Sequence, residues 1–272
     1  MSIFNEKVAI ITGGASGIGR ALGRELARRG AKVVLADING SLLKEAVDSL
    51  TNDGYKAKAA TVDVTDREAV QKLVDGAVAE YGRLDFMFNN AGIGVGGMAR
   101  DFSYEDWKKV VDINLYGVIH GVVAAYPVMI KQGFGHIINT ASLAGLVVMP
   151  GEISYTASKF AIVGLSNVLR IEAERLGVRV SVVCPGLIQT PIYRTSKVVK
   201  MDREKGLSML PKGISAEECA AVILRGIERN KAIIVVTGFA KFLWILQRIS
   251  PSLVLWLGKV ALNRLRSEKI IE

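Results

Sequence analysis

The segment from Ser142 to Lys159 carries three side chains whose types and spacing suit proton transfer. Tyr155 and Lys159 are four residues apart, so in a helix their side chains lie one above the other on one face. A phenol, with a reference pKa of about 10, exchanges protons poorly at neutral pH unless its anion is stabilised. A lysine ammonium one turn away stabilises that anion by Coulomb attraction. The pair therefore predicts an acid/base group that acts on a substrate oxygen.

Ser142 precedes Tyr155 by thirteen residues and follows a strand-like run, HIINTA. A loop at that position can return the hydroxyl to the tyrosine, where it would hydrogen-bond a carbonyl or alkoxide oxygen. The alternative is that the pair lies on a solvated helix face, because short motifs match by chance without a structural context. The elements around the three residues decide between these interpretations.

Strand-like and helical stretches alternate along most of the chain. The first strand-like run is KVAIIT (7–12) and the second is KVVLAD (32–37), with a glycine-rich turn and a helical stretch between them. Five further strand-like runs begin near residues 55, 83, 135, 178 and 232. This alternation predicts an α/β fold, a single doubly wound domain whose seven-stranded parallel sheet is covered by helices on both faces.

The glycine-rich turn predicts a nucleotide-binding site. It reads Thr12-Gly13-x-x-x-Gly17-x-Gly19, contains Ser16 and Ile18, and lies between a strand and a helix. Glycines at such a turn permit positive φ and let the backbone approach a pyrophosphate at the positive end of the helix.

Asp37 bears on the choice of cofactor. It ends the second strand, eighteen residues after Gly19, where a carboxylate accepts hydrogen bonds from the adenosine ribose and repels a 2′-phosphate. Neither Ser16 nor the following Ile38 supplies a cation for that phosphate. We therefore expect NAD rather than NADP, the alternative being that Asp37 caps the next helix.

Composition and charge bound the function classes. The chain of 272 residues has a formal charge of +9, but residues 231–272 hold seven basic against two acidic side chains. Because no nucleic-acid-binding motif accompanies this basic tail, we expect no nucleic-acid partner. The two cysteines, Cys184 and Cys219, indicate neither a disulfide framework nor a metal site. With no secretory signal in the first eight residues, a cytoplasmic protein is expected.

Taken together, these motifs resemble the classical short-chain dehydrogenase/reductase family. The resemblance covers roughly residues 5–236 and rests on TGGASGIG at 12–19, NNAG at 89–92, Asn114, Ser142, Tyr155 and Lys159. It implies a Rossmann-type domain that binds a nicotinamide cofactor and transfers hydride to or from an alcohol or ketone. Tyr155 would be the general acid/base, and Lys159 would lower its pKa and bind the nicotinamide ribose. Ser142 would position the substrate oxygen, and Asn114 would hold a water that connects Lys159 to solvent.

The resemblance also implies the remaining contacts to the cofactor. Asp63 and Val64 would hold the adenine, and Asn90, Ala91 and Gly92 would lie along the cofactor. Pro185, Gly186, Ile188 and Thr190 would flank the nicotinamide carboxamide. With Gly13, Ser16, Gly17, Ile18, Gly19, Asp37, Ile38, Tyr155 and Lys159 they complete the expected cofactor site, and no metal is expected.

The family pattern ends near the last strand, so we divide the chain at residue 237. Residues 1–237 form the predicted NAD-binding domain, with a substrate lid at about 190–212. Residues 238–272 form an amphipathic helical extension of the same domain, read as two helices split at Pro251. Two hypotheses for the extension stay open: peripheral contact with a membrane through 240–266, or packing over the active site or a neighbouring subunit.

The substrate is expected to be a bulky hydrophobic secondary alcohol or ketone, such as a steroid, a retinoid-like compound or a long-chain compound. The predicted pocket residues besides Ser142 are mainly apolar: Ile93, Leu143, Leu146, Val148, Met149 and Tyr193. The nearest enzymatic alternative is reduction of a 3-oxoacyl thioester of acyl carrier protein or CoA. A non-catalytic nucleotide-binding or scaffolding protein is the alternative of another class. The family analogy indicates a homotetramer or homodimer.

Overall fold

Buried runs of β-branched and small residues form the central strands, and amphipathic segments form the helices between them. The computed structural model describes residues 2–271; Met1 and Glu272, the outer limits of the two predicted segments, lie outside the described residues. The strands are β1 (Val8–Thr12), β2 (Lys32–Asp37), β3 (Ala57–Thr61), β4 (Phe86–Asn89), β5 (Val95–Gly96), β6 (Gly135–Thr140), β7 (Val178–Pro185), β8 (Ile188–Gln189), β9 (Lys197–Val198), β10 (Ile214–Ser215) and β11 (Ile233–Val236). The α-helices are α1 (Gly17–Arg28), α2 (Gly40–Asn52), α3 (Arg67–Tyr81), α4 (Tyr104–Val111), α5 (Gly117–Gln132), α6 (Ile153–Ala173), α7 (Ile192–Thr195), α8 (Arg203–Ser208), α9 (Ala216–Glu228), α10 (Gly238–Ile249) and α11 (Pro251–Ser267).

Seven of these strands pair in parallel in the order β11-β7-β6-β4-β1-β2-β3. The predicted Rossmann-type sheet is therefore confirmed. The chain builds the sheet outward from β1 to β3, then crosses back to β4 on the other side of β1. Loops after β1 and β4 consequently diverge and leave a crevice at the carboxyl edge of the sheet, the place where doubly wound folds bind ligands.

Helices cover both faces of the sheet because neighbouring strand residues point to opposite sides. Ile11 belongs to a core cluster with residues of α1, α2 and α9, whereas Ile10 belongs to a second cluster with residues of α3 and α5. A third cluster lies near the carboxyl ends of β6 and β7 and includes residues of α10 and α11. The predicted α/β layering is confirmed.

The long helical stretch after β4 is interrupted by one π-helical turn, Asp112–Tyr116, between α4 and α5. Pro127 lies inside α5. The irregular turn surrounds Asn114, in keeping with the tendency of π-turns to occur at functional sites. By length and mean hydropathy alone, the continuous stretch Tyr104–Gln132 is apolar enough to cross a membrane. Its Ala124, Ala125 and Met129 are buried in the second cluster.

The C-terminal extension forms the two helices that the sequence predicts, with α11 beginning at Pro251. Ala240 and Val254 are buried in the third cluster. The chain end then reaches the predicted lid, where Ile271 forms an antiparallel bridge with Met201. The amide of Asp202 donates to the carbonyl of Ile270 at 2.9 Å.

Candidate active site

The turn between β1 and α1 has a backbone that requires glycine. Gly13 and Gly17 have φ values of +66° and +52°, in the left-handed region that residues with a Cβ avoid. A Cβ on Gly19 would lie 2.1 Å from the carbonyl oxygen of Gly13, so the loop and the helix touch without room for a side chain. Ser16, the residue before α1, makes no side-chain capping bond, and the first turn of α1 has no acidic residue. The helix therefore presents its positive end to the cleft.

Asp37 lies beside this glycine loop. One carboxylate oxygen accepts a hydrogen bond from the Ala15 amide at 3.1 Å, and the other accepts from the Asn39 amide at 3.0 Å. These bonds hold the carboxylate at the carboxyl end of β2, where it lines the cleft with Ile38. The cap of the next helix, α2, is Asn39 and not Asp37. The alternative role of Asp37, as the cap of the next helix, is therefore not the one that the structure shows.

The end of β4 is tied to the end of β1 through Thr12. Its hydroxyl oxygen accepts from the amides of Asn90 and Ala91 at 2.9 and 3.1 Å, and its carbonyl accepts from the Asn90 side chain at 3.0 Å. This network brings Asn90, Ala91 and Gly92 to the floor of the cleft opposite the glycine loop. The sequence motif included Thr12 without indicating this organising role.

The cleft brings together most of the predicted cofactor residues. It is lined by Gly13, Ser16, Gly17, Ile18, Asp37, Ile38, Asp63, Val64, Asn90, Ala91, Gly92, Pro185, Gly186, Ile188 and Thr190. Gly19 lies beneath the loop and does not line it. Asp63 also accepts hydrogen bonds from the amide and hydroxyl of Thr65, both at 2.8 Å through one oxygen. A glycine cradle, an uncapped helix start and a carboxylate at the end of β2 fit a nicotinamide dinucleotide.

Tyr155, on the first turns of α6, faces Ser142, which begins a 3-10 turn (Leu143–Gly145) after β6. The Ser142 hydroxyl accepts from the amide of Ala144 at 3.1 Å. Burial raises the pKa of the Tyr155 phenol and the nearby Glu152 carboxylate raises it further, whereas a hydrogen bond with Ser142 lowers it. The predicted serine–tyrosine pair is therefore brought together, and the raised pKa keeps the phenol protonated at neutral pH.

Lys159 lies one turn after Tyr155 on the same helix face, with its ammonium nitrogen 5.4 Å from the centroid of the tyrosine ring. It is only 3% exposed and donates a hydrogen bond to the carbonyl of Thr140 at 2.9 Å. Burial lowers its pKa to about 8. Among residues 2–271 no carboxylate forms an ion pair with it. A buried, unpaired cation costs the fold free energy.

Asn114 is fully buried in the π-helical turn. Its side-chain oxygen accepts from the amide of Ile93 at 2.9 Å, and its nitrogen donates to the Ile93 carbonyl and the Ser158 hydroxyl at 3.0 and 3.2 Å. Both amide hydrogens are thus used. A Cβ on Gly92 would lie 3.2 Å from the Asn114 side-chain oxygen and 3.5 Å from the Lys159 nitrogen, so Asn114 and Lys159 approach the same point of the backbone.

Several residues that the sequence reasoning did not single out contribute to this site. Thr140 anchors Lys159 through its carbonyl. Ile113 lines the cleft beside the predicted residues. Glu152, three residues before Tyr155, has a pKa raised by burial, and its charge raises the pKa of the tyrosine. Its signal was available: it is the first charged residue after a long uncharged stretch, Gly133–Gly151.

The predicted substrate residues separate into two groups. Ile93 and Tyr193 line the cleft with Ser142 and Tyr155, and Ile192 joins them. Leu143 and Leu146 are buried in the third hydrophobic cluster, and Val148 packs against it. Met149 is exposed and does not line the cleft. The apolar wall next to the tyrosine is thus made by Ile93, Ile192 and Tyr193, whereas the leucines support the loop that carries Ser142.

The cysteines and histidines contribute no metal site. Cys184 and Cys219 are buried free thiols, and burial raises the pKa of each to about 12, which leaves them unreactive near neutral pH. Within the described part of the chain, no group of three or more His, Cys, Asp or Glu side chains could hold a metal ion.

Comparison with known proteins places the chain in a family. The family model for short chain dehydrogenases matches residues 7–199. A putative oxidoreductase, SadH, of Mycobacterium tuberculosis is 36% identical over 93% of this chain and 94% of its own length. The 3-oxoacyl-[acyl-carrier-protein] reductase FabG of Thermotoga maritima is 38% identical over 80% of this chain and 89% of its own.

The fold comparison agrees. A short chain dehydrogenase/reductase from Burkholderia phymatum, solved in complex with NAD, superposes with a TM-score of 0.84 at 32% identity, covering 93% of this chain and 96% of its own. Motifs, sheet order and these relatives lead to one conclusion. The chain belongs to the short-chain dehydrogenase/reductase family of oxidoreductases, enzymes that bind a nicotinamide cofactor and act on CH–OH groups.

Proposed function

We propose that the protein is an NAD-dependent dehydrogenase that interconverts a bulky hydrophobic secondary alcohol and its ketone. The observation that carries the proposal is the convergence of Ser142, Tyr155 and the buried Lys159 at one end of a cleft whose other end holds Asp37. A nicotinamide cofactor in this cleft supplies or accepts the hydride. The residues of the chain handle the proton and the oxygen.

Tyr155 exchanges the proton with the reacting oxygen. In alcohol oxidation its phenolate takes the hydroxyl proton, and in ketone reduction its phenol returns it. Lys159 stabilises the phenolate by charge attraction: its ammonium lies one turn away on the same helix face, 5.4 Å from the centroid of the tyrosine ring. Because its pKa is about 8, the lysine stays largely charged at neutral pH. Ser142 donates to the substrate oxygen and holds it beside the phenol.

Preference for NAD follows from the charge at the end of β2. Asp37 lies where the adenosine ribose is expected, and the neighbouring Ile38 side chain is exposed and carries no charge. A 2′-phosphate about 4 Å from the carboxylate would be repelled by on the order of 4 kcal/mol per unit charge near a protein surface, before screening by salt. The tested variant is Asp37→Ala/Ile38→Arg, which removes the repulsion and adds a phosphate-binding cation.

The double variant should raise kcat/KM with NADP at least tenfold and lower it with NAD. Asp53→Ala, which removes an exposed carboxylate at the end of α2, is the control that should change neither value. Equal use of both cofactors by the wild type would contradict the argument from Asp37.

The substrate class rests on the wall beside Tyr155. Ile93, Ile192 and Tyr193 give this side of the cleft an apolar surface, which favours ring systems or long chains over sugars. Steroid, retinoid-like and long-chain secondary alcohols form the test panel, with reduced-nicotinamide absorbance as the readout. Turnover confined to small polyols would contradict the assignment.

A 3-oxoacyl thioester reductase is the second candidate, favoured by the likeness to the Thermotoga maritima enzyme. It would reduce acetoacetyl-CoA or its acyl carrier protein thioester faster than any ketone in the panel. A nucleotide-binding protein without catalysis is the third, and tight NAD binding with no turnover on either panel would favour it.

We further propose that the protein is a cytoplasmic homodimer or homotetramer. The outer surfaces of α5 and α6 expose Val123, Phe160 and Val168, apolar side chains of the kind that subunit interfaces cover. Sedimentation velocity should give a mass of two or four chains for the wild type and a smaller mass for Phe160→Asp/Val168→Asp.

A further inference from the structure

The hairpin of α10 and α11 turns an apolar surface toward solvent. We define the hairpin face as six exposed side chains: Phe242, Ile245 and Ile249 on α10, and Leu253, Trp256 and Val260 on α11. Within each helix they recur at intervals of three or four residues, which places them on one side.

The two halves of the hairpin face share an orientation. Ala240 of α10 and Val254 of α11 are buried in the same hydrophobic cluster of the domain. On α10 the three exposed side chains lie on the side opposite Ala240, and on α11 Trp256 and Val260 lie well away from Val254, with Leu253 between the two sides. The sequence left two roles open for this segment, packing on the protein and contact with a membrane. The hairpin packs through one side and leaves the other side uncovered.

The charge around the hairpin face indicates which kind of partner can bind there. Residues 238–267 contain five basic side chains, Lys241, Arg248, Lys259, Arg264 and Arg266, and no acidic one. None of the five forms an ion pair with another side chain of residues 2–271. Arg248 lies 5.6 Å over the ring of Trp244. A surface that combines phenylalanine, isoleucine and tryptophan with unpaired cations is complementary to an anionic lipid layer.

A second copy of the chain fits less well. In a two-fold interface the same patch meets itself, so two hairpin faces would bring ten cations together with no acidic residue from either hairpin to compensate. A transmembrane arrangement fits poorly as well: α10 has only twelve residues, and α11 has seventeen, which include Lys259, Arg264 and Arg266. At about 1.5 Å per residue, both are shorter than a hydrocarbon core of about 30 Å.

We propose that the hairpin face lies in the interface of an anionic lipid bilayer and holds the protein peripherally on the membrane. The hairpin lies near two segments that flank the catalytic residues in the chain: a Cβ on Gly258 would lie 3.5 Å from Pro150, five residues before Tyr155, and Ile271 at the chain end pairs with Met201 of the predicted lid. Membrane binding therefore brings these segments close to the bilayer. Delivery of a lipophilic substrate from the bilayer is a consequence that rests on the proposed function; membrane binding itself does not.

The test is flotation of the full-length protein with vesicles of phosphatidylcholine alone or mixed with phosphatidylglycerol. Wild type should float with the anionic vesicles, less at high salt, and not with phosphatidylcholine alone. Ile249→Gln/Trp256→Gln, at side chains 76% and 57% exposed, should lower the partition coefficient at least about tenfold. The matched control is Tyr104→Gln/Leu42→Gln, at side chains 75% and 41% exposed on α4 and α2, which should float like wild type.

Three results would overturn the proposal: no flotation of wild type, equal flotation of the hairpin variant, or a hairpin variant that sediments as a smaller assembly without vesicles. The last result would identify the face as a subunit contact. Unchanged thermal melting and NAD binding of the variant exclude misfolding. Turnover measured without vesicles tests the proposed function separately, so the two proposals can fail independently.

Discussion

Replacing the buried lysine by methionine should stabilise the cofactor-free protein while it abolishes activity. The pKa of Lys159 falls from 10.5 to about 8 because burial disfavours its charge. At about 1.36 kcal/mol per pKa unit, keeping it protonated costs the folded state about 3 kcal/mol. Lys159→Met removes this cost but leaves the Thr140 carbonyl without its donor, a loss of about 1–2 kcal/mol. The expected net gain in unfolding free energy at pH 7 is about 1–2 kcal/mol.

The difference in stability between wild type and Lys159→Met should depend on pH. Because the folded-state pKa lies below the unfolded one, the unfolded chain binds more protons between about pH 8 and pH 10.5. The wild type therefore gains stability through this window as pH rises, and the advantage of Lys159→Met shrinks accordingly.

Urea unfolding of wild type and variant at pH 7 and pH 10, without cofactor, measures the difference directly. Lys72→Met, an exposed position on α3, is the control and should change stability by less than about 0.5 kcal/mol. A variant that is less stable than wild type at pH 7, or a gap that does not change with pH, would refute the reasoning.

Two further predictions concern the glycine loop and the tyrosine. Gly19→Ala should abolish NAD binding and lower the melting temperature, because its Cβ would lie 2.1 Å from the Gly13 carbonyl oxygen. Gly76→Ala is the control: a Cβ there has nothing within 4 Å, and alanine favours the helix over glycine by about 0.5–1 kcal/mol. Calorimetry should therefore show a raised melting temperature and unchanged NAD binding for Gly76→Ala. Glu152→Gln should move the alkaline rise of kcat/KM for alcohol oxidation to lower pH, because the carboxylate raises the pKa of Tyr155. Glu174→Gln, exposed near the other end of α6, should leave the profile in place, and an identical profile for Glu152→Gln would contradict the assigned influence.

The sheet could be predicted because its information is local. Runs such as VAIIT and KVVLAD alternate with amphipathic stretches, and right-handed crossovers leave few ways to order parallel strands. The glycine loop and the pair Tyr155/Lys159 could also be found, because each is a short motif within one element or one turn.

What escaped the sequence depends on contacts between distant segments. The π-turn around Asn114 is fixed by bonds to Ile93, about twenty residues earlier, and Lys159 is anchored by a main-chain carbonyl that carries no sequence signal. The burial of Leu143 and Leu146 likewise depends on packing against β7 and α10. Helical periodicity alone could not show which side of α10 packs on the domain and which faces solvent.

The central claim is that Tyr155 transfers the proton while NAD carries the hydride. The direct measurement compares wild type with Tyr155→Phe, using reduced-nicotinamide absorbance for turnover of hydrophobic secondary alcohols and calorimetry for NAD binding. The expected result is unchanged NAD affinity with kcat lowered about 10²–10⁴-fold. A variant that binds NAD and turns over alcohol at the wild-type rate would contradict the claim.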